Sequence, residues 1–161
     1  HLYTTDAAMA KRATVAATQA KIDSLRAPKS GNLLHELAGT VVTTSNDARE
    51  AYDVIDSQTV FVPKRTGWLV ERTQQGPHRL ALRLPKPASI GRIVLYAHGV
   101  RECDVEVLEE DKWRRASGVK PGDAGPCEIR FGAVTTSGVR LTVTEFEGDS
   151  FQVYEVEGYA Q

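Results

Sequence analysis

The sequence has no excess of charge of either sign and no long apolar run. Twenty Lys and Arg residues oppose 21 Asp and Glu residues, which leaves a net charge of -1. This balance gives no electrostatic reason to expect a nucleic acid or an anionic membrane as partner. No apolar run approaches the roughly 20 residues that cross a bilayer, so we expect no transmembrane segment. The chain starts at His1 rather than Met, which favours a processed or shortened form, and secretion is one explanation.

Motifs typical of catalytic sites are also missing. The four histidines, His1, His35, His78 and His98, have no spacing that is typical of metal ligands. The sequence contains no nucleophile elbow of the GxSxG type and no glycine-rich phosphate loop. The adjacent acids at 109–111 fall where a hairpin turn is predicted, and exposure to water there is the opposite of a tuned acid/base pair. We therefore predict that the protein is not an enzyme.

Cysteine is scarce, since the chain contains only Cys103 and Cys127. Their spacing matches neither a zinc knuckle nor a redox pair. Two small buried apolar residues and a disulfide are about equally good interpretations, and the disulfide would fit secretion. A disulfide requires the two Cα atoms to lie roughly 4.4–6.8 Å apart.

The chain changes character near residue 32. Residues 5–27 are rich in Ala, Lys, Gln and Arg, contain no Gly or Pro, and are followed by Pro28, so they predict a helix. This helix is too weakly apolar to be stable alone and must pack on the body of the protein, on another copy or on a partner. We therefore divide the chain into an N-terminal Ala-rich helix and linker, 1–32, and a second unit, 33–161.

From residue 33 onward the pattern is that of β-strands. Leu80, Leu82 and Leu84 alternate with Arg79 and Arg83, as in a strand with one buried face. The segment IGRIVLY is more continuously apolar, as in a strand covered on both faces. The segment CDVEVLEEDKW predicts a hairpin whose turn lies in the acidic residues. Short strands separated by turn signals at nearly regular spacing indicate an antiparallel sandwich or barrel.

Five segments in the right order resemble the discoidin, or coagulation factor 5/8 type C, family: LRLPKP, IGRIVLY, CDVEVLEEDKW, SGVRLTVTEF and YEVEGY. The resemblance covers roughly Leu37 to Tyr159. It implies an all-β fold, the antiparallel jelly-roll β-sandwich of the galactose-binding-like superfamily, here preceded by one N-terminal α-helix. Because the hairpin Trp of this family packs inward, the resemblance also implies that Trp113 lies in the core.

The same resemblance implies a structural Ca²⁺ near the first long loop. In the family an Asp, carbonyl groups, a Thr hydroxyl and a Glu on the last strand supply hard oxygen ligands of the kind that Ca²⁺ prefers. The matching positions here are Asp53 or Asp56, Thr59 and Glu155. No Gly follows either Asp, and Phe61 stands where the family has Trp, so loop-capping acids that face water are an alternative interpretation.

Members of this family are mostly non-catalytic modules that bind glycans, phospholipid head groups or protein surfaces. Trp68 lies where a loop enters a strand, and its ring would either stack on a sugar or pack in the core. His and Arg at a loop mouth can hydrogen-bond sugar hydroxyl groups, and two such pairs occur, His78 with Arg79 and His98 with Arg101. We therefore expect an extracellular or cell-surface module that binds a glycan through these five residues.

An alternative function does not involve a sugar. The chain would then be a structural subunit of a surface assembly (a filament, a coat or a virion), docked to a protein partner or to another copy through its N-terminal helix. The support for this alternative is the helix itself, which a free-standing carbohydrate module does not need.

Overall fold

The computed structural model describes residues 29–123 and 125–161, so the predicted helix at 5–27 lies outside the described residues. The described part contains seven strands: β1 (Val41–Thr44), β2 (Trp68–Glu71), β3 (His78–His98), β4 (Val100–Glu109), β5 (Lys112–Val119), β6 (Cys127–Phe146) and β7 (Ser150–Tyr159). Two short 3₁₀ helices, Glu36–Ala38 and Ala51–Ile55, lie in the connections, and no described helix is long and apolar enough to cross a membrane. The strands pair antiparallel, which confirms the predicted all-β antiparallel sandwich.

Two long strands, β3 and β6, connect the layers of the sandwich. In the first layer, the first part of β3 pairs with β1 and with residues 138–143 of β6. This part of β6 also pairs with β4, and β4 pairs with β5. The second part of β3 pairs with residues 127–136 of β6 and with β7, and β7 also pairs with β2. The register of β3 shifts between Arg83 and Ala88 and again between Ile90 and Arg92, and such irregularities bend a strand.

The core follows the alternation that the sequence predicts for β3. Leu80 and Leu82 are fully buried, whereas Arg79 and Arg83 are exposed. Strands β4 and β6 contribute inward-facing aliphatic side chains to this layer in the same way, and the opposite layer adds side chains from β2, β3 and β7. These buried residues are Val105 and Val107 on β4, Val139 and Leu141 on β6, Val70 on β2, Ile93 on β3, and Phe151 and Val153 on β7. Burial of this set on folding is the main source of stability.

The predicted hairpin is present, but Trp113 does not lie in the core. Trp113 pairs with Leu108 across the hairpin and is only half-buried. Its ring lies beside Gly138 on the outer face of the layer, with the guanidinium carbons of Arg83 and Arg140 at 5.9 and 4.8 Å from the ring centroid. A Cβ atom at position 138 would lie 3.0 Å from the indole. The expectation of a core Trp113 is wrong because a glycine on β6, the strand beyond β4, leaves room for the ring on the outer face.

Both cysteines are free thiols in this structure. Cys103 is buried and Cys127 is half-buried. Burial raises the pKa of Cys103 to about 12, which disfavours the reactive thiolate.

Candidate functional site

Three loops meet at one end of the sandwich, around the tight turn between β3 and β4. Gly99 forms this turn with a φ of +84°, a conformation that glycine adopts without strain. Its N–H donates to Asp123 Oδ1 (2.9 Å) in the β5–β6 loop, and its carbonyl accepts from the N–H of Glu147 (2.9 Å) in the β6–β7 loop. The turn therefore fixes His98 and Arg101, which flank it, against both loops.

His98 and Arg101 form one cluster of aromatic and charged groups. The Arg101 guanidinium pairs with Glu147 and lies 3.6 Å from Asp123 Oδ2. The His98 ring stacks on Phe61, with centroids 4.7 Å apart, and its Nδ1 is 3.9 Å from Asp123 Oδ1. About half of the His98 side chain (53%) and a third of the Arg101 side chain (37%) remain exposed. Their donors are thus held in place and still accessible to a ligand.

The loop that carries Phe61 is fastened to β7 by Gln152. The buried Gln152 amide accepts from the Lys64 N–H (2.9 Å) and donates to the Thr66 hydroxyl (3.1 Å). A cavity of about 180 Å³ lies between Phe61, Lys64 and His98, and a neighbouring cavity of about 370 Å³ shares Lys64 as a wall. This end of the sandwich therefore offers a concave surface with one aromatic wall.

The second predicted His/Arg pair is split by the alternation of β3. The His78 ring is half-buried, with its centroid 5.8 Å from those of Phe146 and Phe151. Arg79, the next residue, is exposed on the outer face of the layer. His78 therefore packs behind the loops as a supporting side chain, and Arg79 does not join the cluster of His98 and Arg101. The structure therefore does not bring this pair to the loop cluster, and ligand contact by these two residues stays a prediction.

Trp68 is a core residue. Its side chain is fully buried, its ring packs edge-to-face on Phe151 at a centroid distance of 5.1 Å, and its indole N–H donates to Asn46 Oδ1 (3.0 Å). The preceding Gly67 explains this placement. Gly67 has a φ of +77°, and a Cβ there would lie 2.1 Å from the Val153 carbonyl oxygen, so the loop enters β2 pressed against β7. The predicted role of Trp68 in stacking on a sugar is therefore wrong, because no face of the ring is exposed.

Two of the predicted metal ligands, Asp56 and Glu155, come together beneath the long loop. Glu155 is fully buried on β7; the Ser57 N–H donates to its Oε2 (3.1 Å), while Oε1 has no hydrogen-bond partner in the described part of the chain. Burial, followed by the charges of Asp56 and Glu157, raises the pKa of Glu155 to about 10. Burial and the neighbouring Asp53 raise the pKa of Asp56 to about 6. The surroundings of Asp56 and Glu155 therefore do not stabilise the negative charge that both carboxyl groups would carry when ionised.

This donor set fits a hard cation in part. An orphaned buried carboxylate oxygen beside a second carboxylate is chemistry that Ca²⁺ satisfies. Asp53 accepts a long hydrogen bond from the Gly67 N–H (3.5 Å), and Thr59, half-buried, forms no hydrogen bond with Asp56 or Glu155 within the described residues. Across 29–123 and 125–161, no three His, Cys, Asp or Glu side chains are grouped to hold a metal ion. A cation here therefore requires carbonyl or water oxygens in addition.

Sequence reasoning missed several residues of the loop cluster. Asp123 and Glu147 lie in turns beside glycine, a context in which acids usually face water. Phe61 was noted as a departure from the family pattern, and neither Phe61 nor Lys64 was among the predicted glycan-binding residues. These side chains come together through loops that are far apart in sequence, so no local pattern marks them.

The two layers and the bent strands form a β-sandwich whose fold is similar to that of family 32 carbohydrate-binding modules. The family 32 module of Clostridium perfringens NanJ, in complex with galactose, has a TM-score of 0.66 at 10% identity, and the match covers 80% of this chain and 97% of that chain. The module CpGH89CBM32-5 of Clostridium perfringens, in complex with GalNAc-β-1,3-galactose, has a TM-score of 0.65 at 16% identity, covering 80% and 99%. Chitosan-binding module 1 from a chitosanase/glucanase of Paenibacillus sp. IK-5 has a TM-score of 0.61 at 21% identity, covering 80% and 98%.

Because all three sequence identities are low, these likenesses establish the fold alone. They confirm the β-sandwich fold that the sequence resemblance implies, and these three neighbours are carbohydrate-binding or chitosan-binding modules. No family model and no curated protein matches the chain.

Proposed function

We propose that this protein is a non-catalytic, extracellular carbohydrate-binding module that takes its ligand at the loop cluster. The observation that carries the proposal is the stacked Phe61–His98 pair beside Arg101. An aromatic surface receives the apolar face of a pyranose ring, while the His and Arg donors engage its hydroxyl groups. The galactose and GalNAc-β-1,3-galactose bound by two structural neighbours support a glycan ligand here.

The charges of the cluster favour a neutral sugar. The Arg101 guanidinium is balanced by Asp123 and Glu147, so it brings little net attraction for an anion. The same arrangement offers donors and acceptors side by side, which matches hydroxyl groups that both donate and accept. Because the ion pairs already fix Arg101, binding loses little side-chain entropy.

A glycan array, run with Ca²⁺ and again with a chelator, tests this function. For the first saccharide that binds, calorimetry should show at least about tenfold weaker binding by Arg101→Ala and by Phe61→Ala, or about 1.4 kcal/mol. Arg130→Ala is the matched control, because Arg130 is an exposed arginine paired with Glu128 near the opposite end of the second layer. An array that is blank under both conditions, or equal affinities for all three variants, contradicts the proposal.

We also propose that Asp56 and Glu155 hold a structural Ca²⁺, with carbonyl and water oxygens completing its coordination. The orphaned Glu155 oxygen and the raised pKa values of both acids support this assignment. The cation would supply positive charge to two crowded carboxylates and so fix the long loop against β7. Added Ca²⁺ should raise the melting temperature of the chelator-treated protein, and no change in melting would contradict the site.

The alternative function, a structural subunit docked through the N-terminal helix, depends on residues outside the described part of the chain and stays a prediction. If that alternative is correct, deleting residues 5–27 should reduce the number of chains in each particle in solution. An unchanged number of chains would contradict it.

A further inference from the structure

Trp113 carries an indole that the core does not use. The ring lies beside Gly138, and the Arg140 guanidinium carbon is 4.8 Å from its centroid. Arg140 is held in turn by Glu106, which accepts from its Nε (3.2 Å) and also accepts from the Thr142 hydroxyl. The indole is therefore fixed by packing and by a charged network, while its own N–H has no acceptor in the described part of the chain. A fixed aromatic ring is a binding platform that loses little entropy when a ligand arrives.

A cavity of about 840 Å³ adjoins this indole, more than twice the volume of the 370 Å³ cavity at the loop end. Pro87 and Leu108 give it apolar walls in addition to Trp113. Thr135 and Ser137 line it as well, and their hydroxyl groups form no hydrogen bond with any described residue. One cavity thus combines an aromatic plate, apolar walls and free hydroxyl groups, a combination that suits the two-sided chemistry of a sugar ring.

The strand below these hydroxyl groups is rigid. Thr136 is buried between Thr135 and Ser137, and its hydroxyl group is within 3.1 Å of the N–H and carbonyl groups of both Leu108 and Gly138. These contacts join the start of the turn between β4 and β5 to the irregular part of β6. The cavity is therefore preformed rather than assembled on binding.

The charges that line the cavity cancel. Arg114 donates two hydrogen bonds of 2.8 Å to the Glu109 carboxylate, and Glu110 and Lys112 carry opposite charges on either side of the hairpin tip. An ionic ligand would gain little from such a lining. A neutral ligand with hydroxyl groups fits it better.

We propose that the Trp113 cavity is a second saccharide-binding site, which takes a neutral pyranose ring against the indole. Arg101 at the loop end and Glu109 at the hairpin lie eight residues apart on β4, which corresponds to roughly 25 Å at the usual strand rise. The two sites are too far apart to share one ring. The module then engages two glycan chains, or two distant parts of one chain, and gains avidity on a polymeric surface. This second site does not depend on the loop site.

The protein carries its own reporter for this site. The chain has only two tryptophans, and Trp68 is fully buried whereas Trp113 is half-buried. Acrylamide should therefore quench Trp113 fluorescence preferentially. The probes are lactose, N-acetyllactosamine, cellotetraose and triacetylchitotriose, titrated into the intact chain. A bound saccharide should reduce the acrylamide quenching constant at least about twofold, because it shields the indole from the solvent.

Three variants separate this site from the loop site. Thr135→Arg places a bulky side chain at an exposed position of the cavity and leaves Trp113 and the core intact, so the protection by saccharide should disappear. Trp113→Phe keeps an aromatic plate and should retain calorimetric binding, whereas Trp113→Ala should weaken it at least about tenfold. Arg101→Ala should weaken the loop site at least about tenfold and should leave the protection of Trp113 unchanged.

The opposite results overturn the second site. They are the absence of protection by every probe, or protection that persists in Thr135→Arg. Protection that disappears in Arg101→Ala also contradicts it, because the signal then comes from the loop site. Weaker loop binding in Arg101→Ala with Trp113 still protected supports both sites.

Discussion

Replacing Glu155 with Gln isolates the electrostatic cost of the buried acid cluster. Gln keeps the shape of the side chain and can still accept the Ser57 N–H. The pKa of Glu155 is about 10 in the folded protein, against an ordinary 4.5, so the folded protein holds a proton that the unfolded chain releases. A carboxyl group with a raised pKa contributes stability that is fully present below pH 4.5 and is lost as the pH rises towards 10. Because half of this group is still protonated in the unfolded chain at pH 4.5, the loss between pH 4.5 and 7 corresponds to about 2.2 pH units at about 1.4 kcal/mol each, or about 3 kcal/mol for the metal-free protein.

Urea denaturation at several pH values in the presence of a chelator measures this loss. Between pH 4.5 and 7, Glu155→Gln should lose about 3 kcal/mol less stability than the wild type. Glu109→Gln is the matched control: Glu109 is exposed, and its hydrogen bond with Arg114 lowers its pKa, so that group contributes stability at higher pH, the opposite sign. Ca²⁺ at neutral pH should stabilise the wild type and not Glu155→Gln. Parallel losses in the wild type and in Glu155→Gln would refute both the raised pKa and the cation site.

Two further predictions concern the loop entry and the thiols. Gly67→Ala should destabilise the protein by about 3 kcal/mol or more, because its Cβ would lie 2.1 Å from a backbone oxygen. Gly148 is the control: it has a similar φ of +80° but open space around it, so Gly148→Ala should cost only about 1 kcal/mol. Equal losses of stability in urea denaturation would contradict the close approach. In the native protein Cys127 should react with Ellman's reagent well before Cys103, whose burial raises its pKa to about 12; simultaneous reaction, or a disulfide found by mass spectrometry, would contradict the free thiols.

The strands were predictable because their signals are local. Alternation over Leu80, Leu82 and their arginine neighbours indicates which face of β3 is buried, and the acidic tip of the hairpin indicates its turn. The resemblance to the discoidin family added the arrangement of these strands. Both kinds of signal concern residues that are close in sequence or segments in a fixed order.

The site was less predictable because its contacts join distant segments. Ser57 reaches Glu155 across 98 positions, and Lys64 reaches Gln152 across 88. The two tryptophans show the same limit. Trp68 is in the core because of the close approach at Gly67, and Trp113 is on the surface because Gly138 leaves a gap on β6, the strand beyond β4. Neither glycine reveals from sequence which strand it will approach.

An amide chemical-shift titration with the first saccharide that binds on the array tests the central claim most directly. The account predicts that the largest shifts fall on the loop end, at residues 61–64, 98–101 and 147, and that a second saturable group appears at 112–113 and 135–137. Shifts confined to other parts of the sandwich, or none at saturating saccharide, would contradict a carbohydrate-binding function for these surfaces.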